Sequence, residues 1–314
     1  MRVGYPSVER RTTLAAAALG RTPGTPGPDP GKGAPLTAVM GEILDVSPHL
    51  ITIETPDGQE ERLVIAPWAT AWRGTDVAPA DLPVGGRVLM RALREGRVVE
   101  RLWGDTTRVT GTITDVSGRT DLAVELDCGT HRGRRTILIP YRATGRLRVR
   151  YPKLEPGYLF DGIGIVDEGV ERITLPATSQ PAYPARSVPS PPPAYSAQQS
   201  RISGTVVWFD GTQRGAAYPM LERADAGCPD SAVSCAGLPY LSIGSLLHVR
   251  NVCADRSARV PIVACGCLAG RFCDRCVECD TSPRGRLAEL SAPTFVELGG
   301  DLTKGCFNAQ IGLG

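Results

Sequence analysis

The cysteines are the feature that most limits how this chain can fold. Ten occur among 314 residues, and all but Cys128 lie between Cys228 and Cys306. That density within one segment indicates either a disulfide framework or a thiolate metal site. The clustered residues are Cys228, Cys235, Cys253, Cys265, Cys267, Cys273, Cys276, Cys279 and Cys306. Because their number is odd, at least one must stay free or pair with Cys128 or with another chain.

A metal site would be centred on the loop from Cys265 to Cys279, where the spacing is C-x-C-x5-C-x2-C-x2-C. Structural zinc takes four thiolates or imidazoles, and C-x2-C is its usual half-site. None of His49, His131 and His248 lies at ligand spacing from these cysteines. The residues therefore leave two alternatives open, disulfides with no cofactor or an all-thiolate structural zinc.

Composition predicts an all-β protein of several small domains. The 36 glycines and 27 prolines, with 22% charged residues, indicate many turns and short strands rather than long helices. The length allows two or three domains. A net charge of +2, with no basic stripe interleaved with aromatic residues, does not indicate a nucleic-acid partner. No run of 18 apolar residues occurs, so no membrane span is expected.

An internal repeat divides the first half of the chain. The sequence Gly-Glu-Ile-Leu-Asp-Val-Ser at 41–47 returns as Gly-Thr-Ile-Thr-Asp-Val-Ser at 111–117. The Asp57-Gly58 pair between two alternating runs predicts a hairpin, since both residues tolerate positive φ. We predict two copies of one OB-like β-barrel, at residues 37–105 and 106–175. We interpret them as scaffold, because their few aromatic residues do not alternate with basic ones.

Two further segments are predicted to lie outside the barrels. Residues 1–36 begin with a segment in which Arg10-Arg11 precedes a short apolar run. This pattern is typical of a twin-arginine export signal, and equally of a short helix or a disordered tail. A Pro/Gly-rich linker follows it. Residues 176–200 are rich in proline and predict a semi-rigid spacer in the polyproline II conformation. That spacer would hold the last domain, residues 201–314, away from the two barrels.

The last domain contains a series of motifs in a recognisable order. Leu241, Gly244, Val249 and Asn251 are followed by Asp280, then by Gly285-Arg286, Leu290-Ser291 and Phe295. In this order they resemble the double-psi β-barrel of the rare-lipoprotein-A, expansin and barwin group. The resemblance implies a C-terminal double-psi barrel stapled by disulfides. The histidine that many bacterial members carry would fall near Leu238 and is missing, and Glu289 replaces an aspartate of the pattern.

The same resemblance implies a polysaccharide-binding groove. Asp280, in a loop beside Pro283, is the candidate general acid, with a loop carboxylate bonded to backbone amides as its structural alternative. Glu289 is the nearby second carboxylate, or else it caps a short helix at 293–298. Trp208, Tyr218 and Tyr240 are the candidate substrate-binding residues. We interpret His248 as an ordinary strand residue.

Two functions follow from these observations. The first is a cell-envelope or extracellular protein that binds peptidoglycan-like carbohydrate, and whose catalytic form would be a lytic transglycosylase. The second is a non-enzymatic structural component of a surface, filament or virion assembly, which uses its barrels to contact copies of itself or other structural chains. Both functions place the protein outside the cytoplasm, in the extracellular space or the cell envelope.

Overall fold

The computed structural model describes residues 36–93, 96–151, 153–178, 183–190, 201–222, 233–266 and 268–313. The predicted export signal, Cys228, Cys267 and residues 179–182 and 191–200 of the proline-rich segment lie outside the described residues. The described chain forms three small closed β-barrels, so the predicted all-β fold class is confirmed. Two compact units are present, Met1–Gly104 with one barrel and Asp105–Gly314 with two. Within the described residues, no helix has the length and apolar character needed to cross a bilayer.

The first barrel closes through a five-strand ring. Its strands are β1 (Thr37–Val46), β2 (Leu50–Glu54), β3 (Glu60–Trp72), β4 (Asp76–Val77), β5 (Arg87–Leu93) and β6 (Val98–Gly104). The order β2-β1-β5-β6-β3-β4 becomes a ring because β2 also pairs with β3, and β3 runs parallel to β6. The turn between β2 and β3 contains Gly58 at a φ of 77°, as the Asp-Gly pair predicts. Alternate residues such as Ile51 and Ile53 fill the core.

The second barrel repeats this connectivity. Its strands are β7 (Thr106–Ser117), β8 (Leu122–Asp127), β9 (Arg134–Ile139), β10 (Leu159–Asp167) and β11 (Val170–Pro176), and α1 (Tyr141–Arg150) connects β9 to β10. They close in the order β10-β11-β9-β8-β7, with β9 parallel to β11. In both barrels the third strand is parallel to the last, so the prediction of two tandem barrels is confirmed. The helix α1, which the sequence analysis did not predict, buries Ala143 and Leu147 at i, i+4 spacing.

The third barrel has six strands. They are β12 (Arg201–Phe209), β13 (Ala216–Tyr218), β14 (Leu246–Asn251), β15 (Arg256–Cys265), β16 (Arg286–Ser291) and β17 (Cys306–Leu313). They close in the order β12-β16-β13-β15-β14-β17, with β12–β16 and β13–β15 as parallel pairs. The predicted short helix is α2 (Ala292–Glu297), which has Pro293 in its first turn.

Disulfides staple the third barrel. Cys235 pairs with Cys273, Cys253 with Cys279 and Cys276 with Cys306, and Cys265 is also disulfide-bonded. The prediction of disulfide bonds in this domain is therefore confirmed. Four of the five cysteines of the candidate zinc loop have their sulfur atoms in disulfides, and the described residues contain no cluster of potential metal ligands. Cys128 is a free thiol in the second barrel, and burial raises its pKa to about 11.

The proline-rich segment does not separate the second and third barrels. Its residues 183–190 pack between them, and Ala185 is buried with Leu159 of β10 and Phe272 of the Cys-rich loop. The Ala185 N–H donates to Gly157 O, and Arg271 donates to Ala185 O, both at 2.8 Å. The prediction of a spacer is wrong for these residues, because a turn with a small side chain at Ala185 fits into an apolar seam and uses its backbone groups there.

Reduction should loosen the third barrel selectively. The three described disulfides close separations of 38, 26 and 30 residues, and each such cross-link typically contributes about 2–4 kcal/mol. We expect a reductant to accelerate hydrogen exchange of the β12–β17 amides. Residues 1–104 contain no cysteine and serve as the internal control. Equal acceleration in β1–β6 would contradict a stapling role.

Candidate functional site

The candidate acid Asp280 lies exposed on the Cys-rich loop. Its Oδ1 accepts a hydrogen bond from the Thr281 N–H at 2.7 Å, and its backbone oxygen accepts one from the Asn308 side-chain amide. The neighbouring disulfide, Cys253–Cys279, ties this part of the loop to the turn between β14 and β15. The structure therefore holds Asp280 at the surface, bonded to a backbone amide as in the structural alternative.

The second candidate carboxylate, Glu289, lies in a different environment. It is in the middle of β16 with 1% exposure, and its Oε2 accepts a hydrogen bond from Arg132 of the second barrel at 2.5 Å. Ser291, the residue that precedes α2, makes no side-chain cap bond, and the Glu289 carboxylate accepts from Arg132 instead. The expectation that Glu289 caps this helix is wrong, because Arg132 provides a stronger, charged partner.

Two of the three candidate sugar-binding aromatic residues are inside the protein. Trp208 and Tyr218 are 1% and 0% exposed, and they donate to Leu302 O and Pro239 O at 3.0 Å. Their rings therefore present no face to a ligand in this structure. Tyr240 differs, since it is 51% exposed and precedes the exposed residues Ile243 and Leu246. The structure does not bring Trp208 and Tyr218 into a groove with Asp280.

The largest concentration of buried charge lies between the second and third barrels. The guanidinium of Arg286, on β16, donates to Asp274 Oδ2 at 2.8 Å and to Thr178 Oγ1 at 2.7 Å, and also contacts Asp161 Oδ2 of β10. Arg108 of β7 binds the same Asp161 in a bidentate pair, at 2.8 and 2.6 Å. We call this set, Arg108, Asp161, Asp274 and Arg286, the inter-barrel charge cluster. Its two cations and two carboxylates balance, as buried charges must.

Each arginine of the cluster also lies against an aromatic ring. Arg286 is 3.6 Å from the centroid of Phe272, and Arg108 is 5.8 Å from that of Trp208. Such cation–π contacts stabilise a guanidinium that has lost its water. Trp208 therefore supports the contact between two barrels rather than a ligand, which explains why this aromatic residue is buried.

Electrostatics inside the cluster favour the charged forms. Burial by itself would raise the pKa of Asp161, but the charges of Arg108 and Arg286 outweigh it and lower that pKa to about 2. For Arg286, burial opposes the charge, and the carboxylates of Asp274 and Asp161 nonetheless raise its pKa above the ordinary value. Asp161 and Arg286 are thus held in their charged forms at neutral pH.

The disulfides help to place Asp274. This residue lies between Cys273, bonded to Cys235, and Cys276, bonded to Cys306 at the start of β17. The Cys276 N–H also donates to Thr205 Oγ1 of β12 at 3.1 Å. The loop is thus fixed on both sides of the carboxylate that faces Arg286.

The sequence analysis did not identify the inter-barrel charge cluster as a unit. One signal was present, since Asp161 and Arg286 are charged residues within largely apolar strands, Leu159–Asp167 and Arg286–Ser291. Charged residues at such positions are rarely buried unless paired. The partner of each lies on another barrel, 125 residues away in the sequence, and strand patterns carry no information about that distance.

Comparisons of this sequence with protein-family models and with curated proteins found no match.

Loss of one charge from the cluster should destabilise the second unit. Asp161→Asn would leave Arg108 and Arg286 without their shared carboxylate, and removal of one partner from a buried pair costs about 3–5 kcal/mol. We expect a loss of that size in the free energy of unfolding obtained from hydrogen exchange of β10 and β16 amides. Asp115→Asn, at an exposed site on β7, should change it by less than about 0.5 kcal/mol. Similar effects of the two substitutions would show that the cluster contributes little.

The ion pairs of Asp161 predict that the stability of the second unit depends on pH. The pKa of Asp161 falls from 3.8 to about 2 on folding, so the unfolded chain binds the proton more tightly. Its contribution to stability, about 2 kcal/mol, is fully present above pH 4 and is lost as the pH falls toward 2. In acid unfolding experiments, the difference between wild type and Asp161→Asn should therefore shrink between pH 4 and pH 2. A constant difference over that range would contradict the assigned ion pairs.

Proposed function

We propose that this protein is a non-enzymatic structural component of an extracellular or cell-envelope assembly. The observation that carries this proposal is the engagement of Glu289, whose carboxylate is buried and bonded to Arg132 at 2.5 Å. Cleavage of a glycan by a carboxylate pair needs a second group that is free to act on the sugar or on water. An ion pair between two barrels withdraws Glu289 from such a role.

The environment of Asp280 also favours a non-enzymatic function. General acids of glycan-cleaving enzymes are commonly enclosed by apolar groups, which keep the proton on the carboxyl group. Asp280 is instead exposed to water on the Cys-rich loop. Of the aromatic residues proposed to hold the sugar, Trp208 and Tyr218 are buried. The proposed catalytic constellation therefore lacks its second carboxylate and much of its binding surface.

Disulfides and direct barrel packing support a mechanical role. Disulfides persist in oxidising compartments such as the extracellular space and the periplasm, and three of them cross-link the third barrel within the described residues. The inter-barrel charge cluster fixes this barrel to the second one. A pair of barrels fixed in this way is suited to transmit force or to present constant surfaces to neighbouring chains.

We further propose that the third barrel is a diverged member of the rare-lipoprotein-A, expansin and barwin group. Several motif residues have structural roles that would outlast a lost activity. Asn251 is buried after β14, where its Oδ1 accepts hydrogen bonds from the Cys253 and Ala254 N–H groups and its Nδ2 donates to Leu298 O. Arg286 belongs to the inter-barrel charge cluster, and Phe295 stacks on Phe307. The motif would then mark the barrel and not a catalyst.

Binding of carbohydrate without cleavage is the second candidate function. The exposed ring of Tyr240 and the exposed carboxylate of Asp280 favour it, because sugars bind to open aromatic faces beside polar acceptors. The partner in that case would be a peptidoglycan-like polysaccharide.

Digestion of peptidoglycan freed of stem peptides tests the proposal. We expect the wild-type protein to release no anhydro-sugar ends, and sedimentation velocity to show reversible or stable self-association as concentration increases. Release of such ends, with a loss of roughly 10²–10⁴-fold in Asp280→Asn, would overturn the non-enzymatic function.

Binding to the same glycan separates the two candidates. If the wild-type protein co-sediments with insoluble peptidoglycan and Tyr240→Ala does not, the carbohydrate-binding function replaces the structural one. Ile243→Ala, which removes a neighbouring exposed side chain without a ring, is the matched control.

A further inference from the structure

The helix α1 and the residues after it carry a charge that the barrel fold does not require. Residues 141–153 contain five basic side chains and no acidic one, namely Arg142, Arg146, Arg148, Arg150 and Lys153. The whole chain has 35 basic and 33 acidic residues, so outside this segment 33 acidic residues face 30 basic ones. The net positive charge of the protein is thus concentrated on this short segment of the second barrel.

Helix stability does not explain this arrangement. Arg148 and Arg150 lie in the last turn, where a cation interacts favourably with the helix dipole. Arg142 lies in the first turn, where the dipole disfavours a cation, and that turn has no acidic residue. Arg142, Arg146 and Arg148 are exposed and make no hydrogen bond or ion pair with the part of the chain that the structure describes. These side chains are available to a partner.

The geometry of α1 separates an inner and an outer face. Ala143 and Leu147 point into the barrel core. With about 100° per residue, Arg146 and Arg148 lie on either side of Leu147, and Val149 points about 160° away from it. The outer face therefore carries two apolar side chains interspersed with arginines, since Arg142 lies about 20° from Val149 and Tyr141 lies beside Arg148.

The apolar side chains of this outer face are unusually exposed. Val149 is 79% and Tyr141 is 72% exposed, the two highest values among the large hydrophobic residues that are exposed in the described chain. Neither packs into a barrel core, and both lie on the helix that carries the arginines. Exposed apolar side chains beside arginines on one helix are typical of helices that lie on a membrane surface.

We propose that the outer face of α1, defined by Tyr141, Arg142, Arg146, Arg148 and Val149, docks on an anionic lipid membrane surface. Arginine binds phosphate oxygens with two parallel hydrogen bonds, and tyrosine is enriched at the headgroup level of bilayers. Val149 and the ring of Tyr141 leave water only if the partner has an apolar layer beneath its charges, which a soluble phosphate polymer lacks. With few apolar side chains, the attachment is peripheral and reversible.

This inference does not depend on the proposed structural function, because α1 belongs to the second barrel and contains none of the predicted site residues. It adds a surface to which the protein would be held, whatever its third barrel contacts. The two proposals can therefore fail separately.

Vesicle flotation with the full chain tests the inference. The protein should bind vesicles of phosphatidylcholine mixed with phosphatidylglycerol, and should not bind phosphatidylcholine alone. Added salt should weaken binding, because it screens the arginines. The triple substitution Arg142→Gln, Arg146→Gln and Arg148→Gln should reduce partitioning by roughly fivefold per arginine.

A matched triple substitution controls for total charge. Arg259→Gln, Arg275→Gln and Arg284→Gln remove the same charge from exposed positions of the third barrel, and should leave vesicle binding intact. Equal loss in both triples would overturn the assignment to α1. The melting temperature of each variant is measured as a folding control. If it equals the wild-type value, a loss of vesicle binding is not caused by unfolding.

Val149→Ser distinguishes a membrane from a soluble polyanion. Burial of this side chain in the interface predicts a roughly threefold to tenfold loss of vesicle partitioning in the variant, with unchanged binding of inorganic polyphosphate. If wild-type protein binds polyphosphate but no anionic vesicle, or if Val149→Ser partitions like wild type, the membrane proposal is wrong.

Discussion

The buried guanidinium of Arg286 and the carboxylates around it set the arrangement of the second unit. Asp161 belongs to the second barrel and Asp274 to the Cys-rich loop of the third, and both accept hydrogen bonds from this one side chain. None of these three residues can leave the contact without exposing an unpaired charge to an apolar interior. The position of two barrels and of one long loop is thus tied to a single side chain on β16.

A buried ion cluster of this kind contributes orientation more than net stability. The desolvation of charged groups offsets much of their attraction, so apolar residues of equal volume could pack as well. Apolar packing alone, however, would tolerate sliding of one barrel on the other, whereas two hydrogen bonds cross between the barrels at fixed points. Arg286 of the third barrel donates to Asp161 of the second, and Arg108 of the second donates to Gly305 O of the third. Close approach has the same effect at Gly305, where an added Cβ would lie 2.9 Å from Ile163 of β10. The contact is therefore specific as well as buried.

The same packing bears on the choice between catalysis and structure. Glu289, which the family pattern places beside a catalytic acid, is used to bind Arg132 across the barrel contact, and Trp208 lies beneath Arg108. Side chains that the resemblance assigns to a glycan are thus occupied in holding two domains together. This use of polar residues in the barrel contact supports the proposed structural role of the third barrel.

Sequence patterns determined much of the fold because they report local geometry. The repeated Gly-x-Ile-x-Asp-Val-Ser segment, the Asp57-Gly58 turn and the alternating strands specified two like barrels. The clustered cysteines and ordered motifs indicated a stapled third one. The sequence analysis did not predict helix α1, because its four arginines and mid-helix Gly145 weaken the apolar pattern formed by Ala143 and Leu147.

What only the tertiary structure decided is which residues meet. Local patterns predict strands and turns, since these depend on neighbours a few residues apart. They cannot identify the contact of Arg286 with Asp161, 125 residues away, or that of Arg132 with Glu289, 157 residues away. The packing of residues 183–190 between the barrels could not be predicted either, because a proline-rich sequence predicts a spacer unless its partner surface is known. The sequence by itself determined three barrels and placed the clustered cysteines in the third, and the structure showed that the described cysteines of this cluster form disulfides. The tertiary structure decided that the candidate site residues Glu289 and Trp208 lie in a domain contact, because burial and charge pairing are properties of surfaces that the chain brings together only on folding.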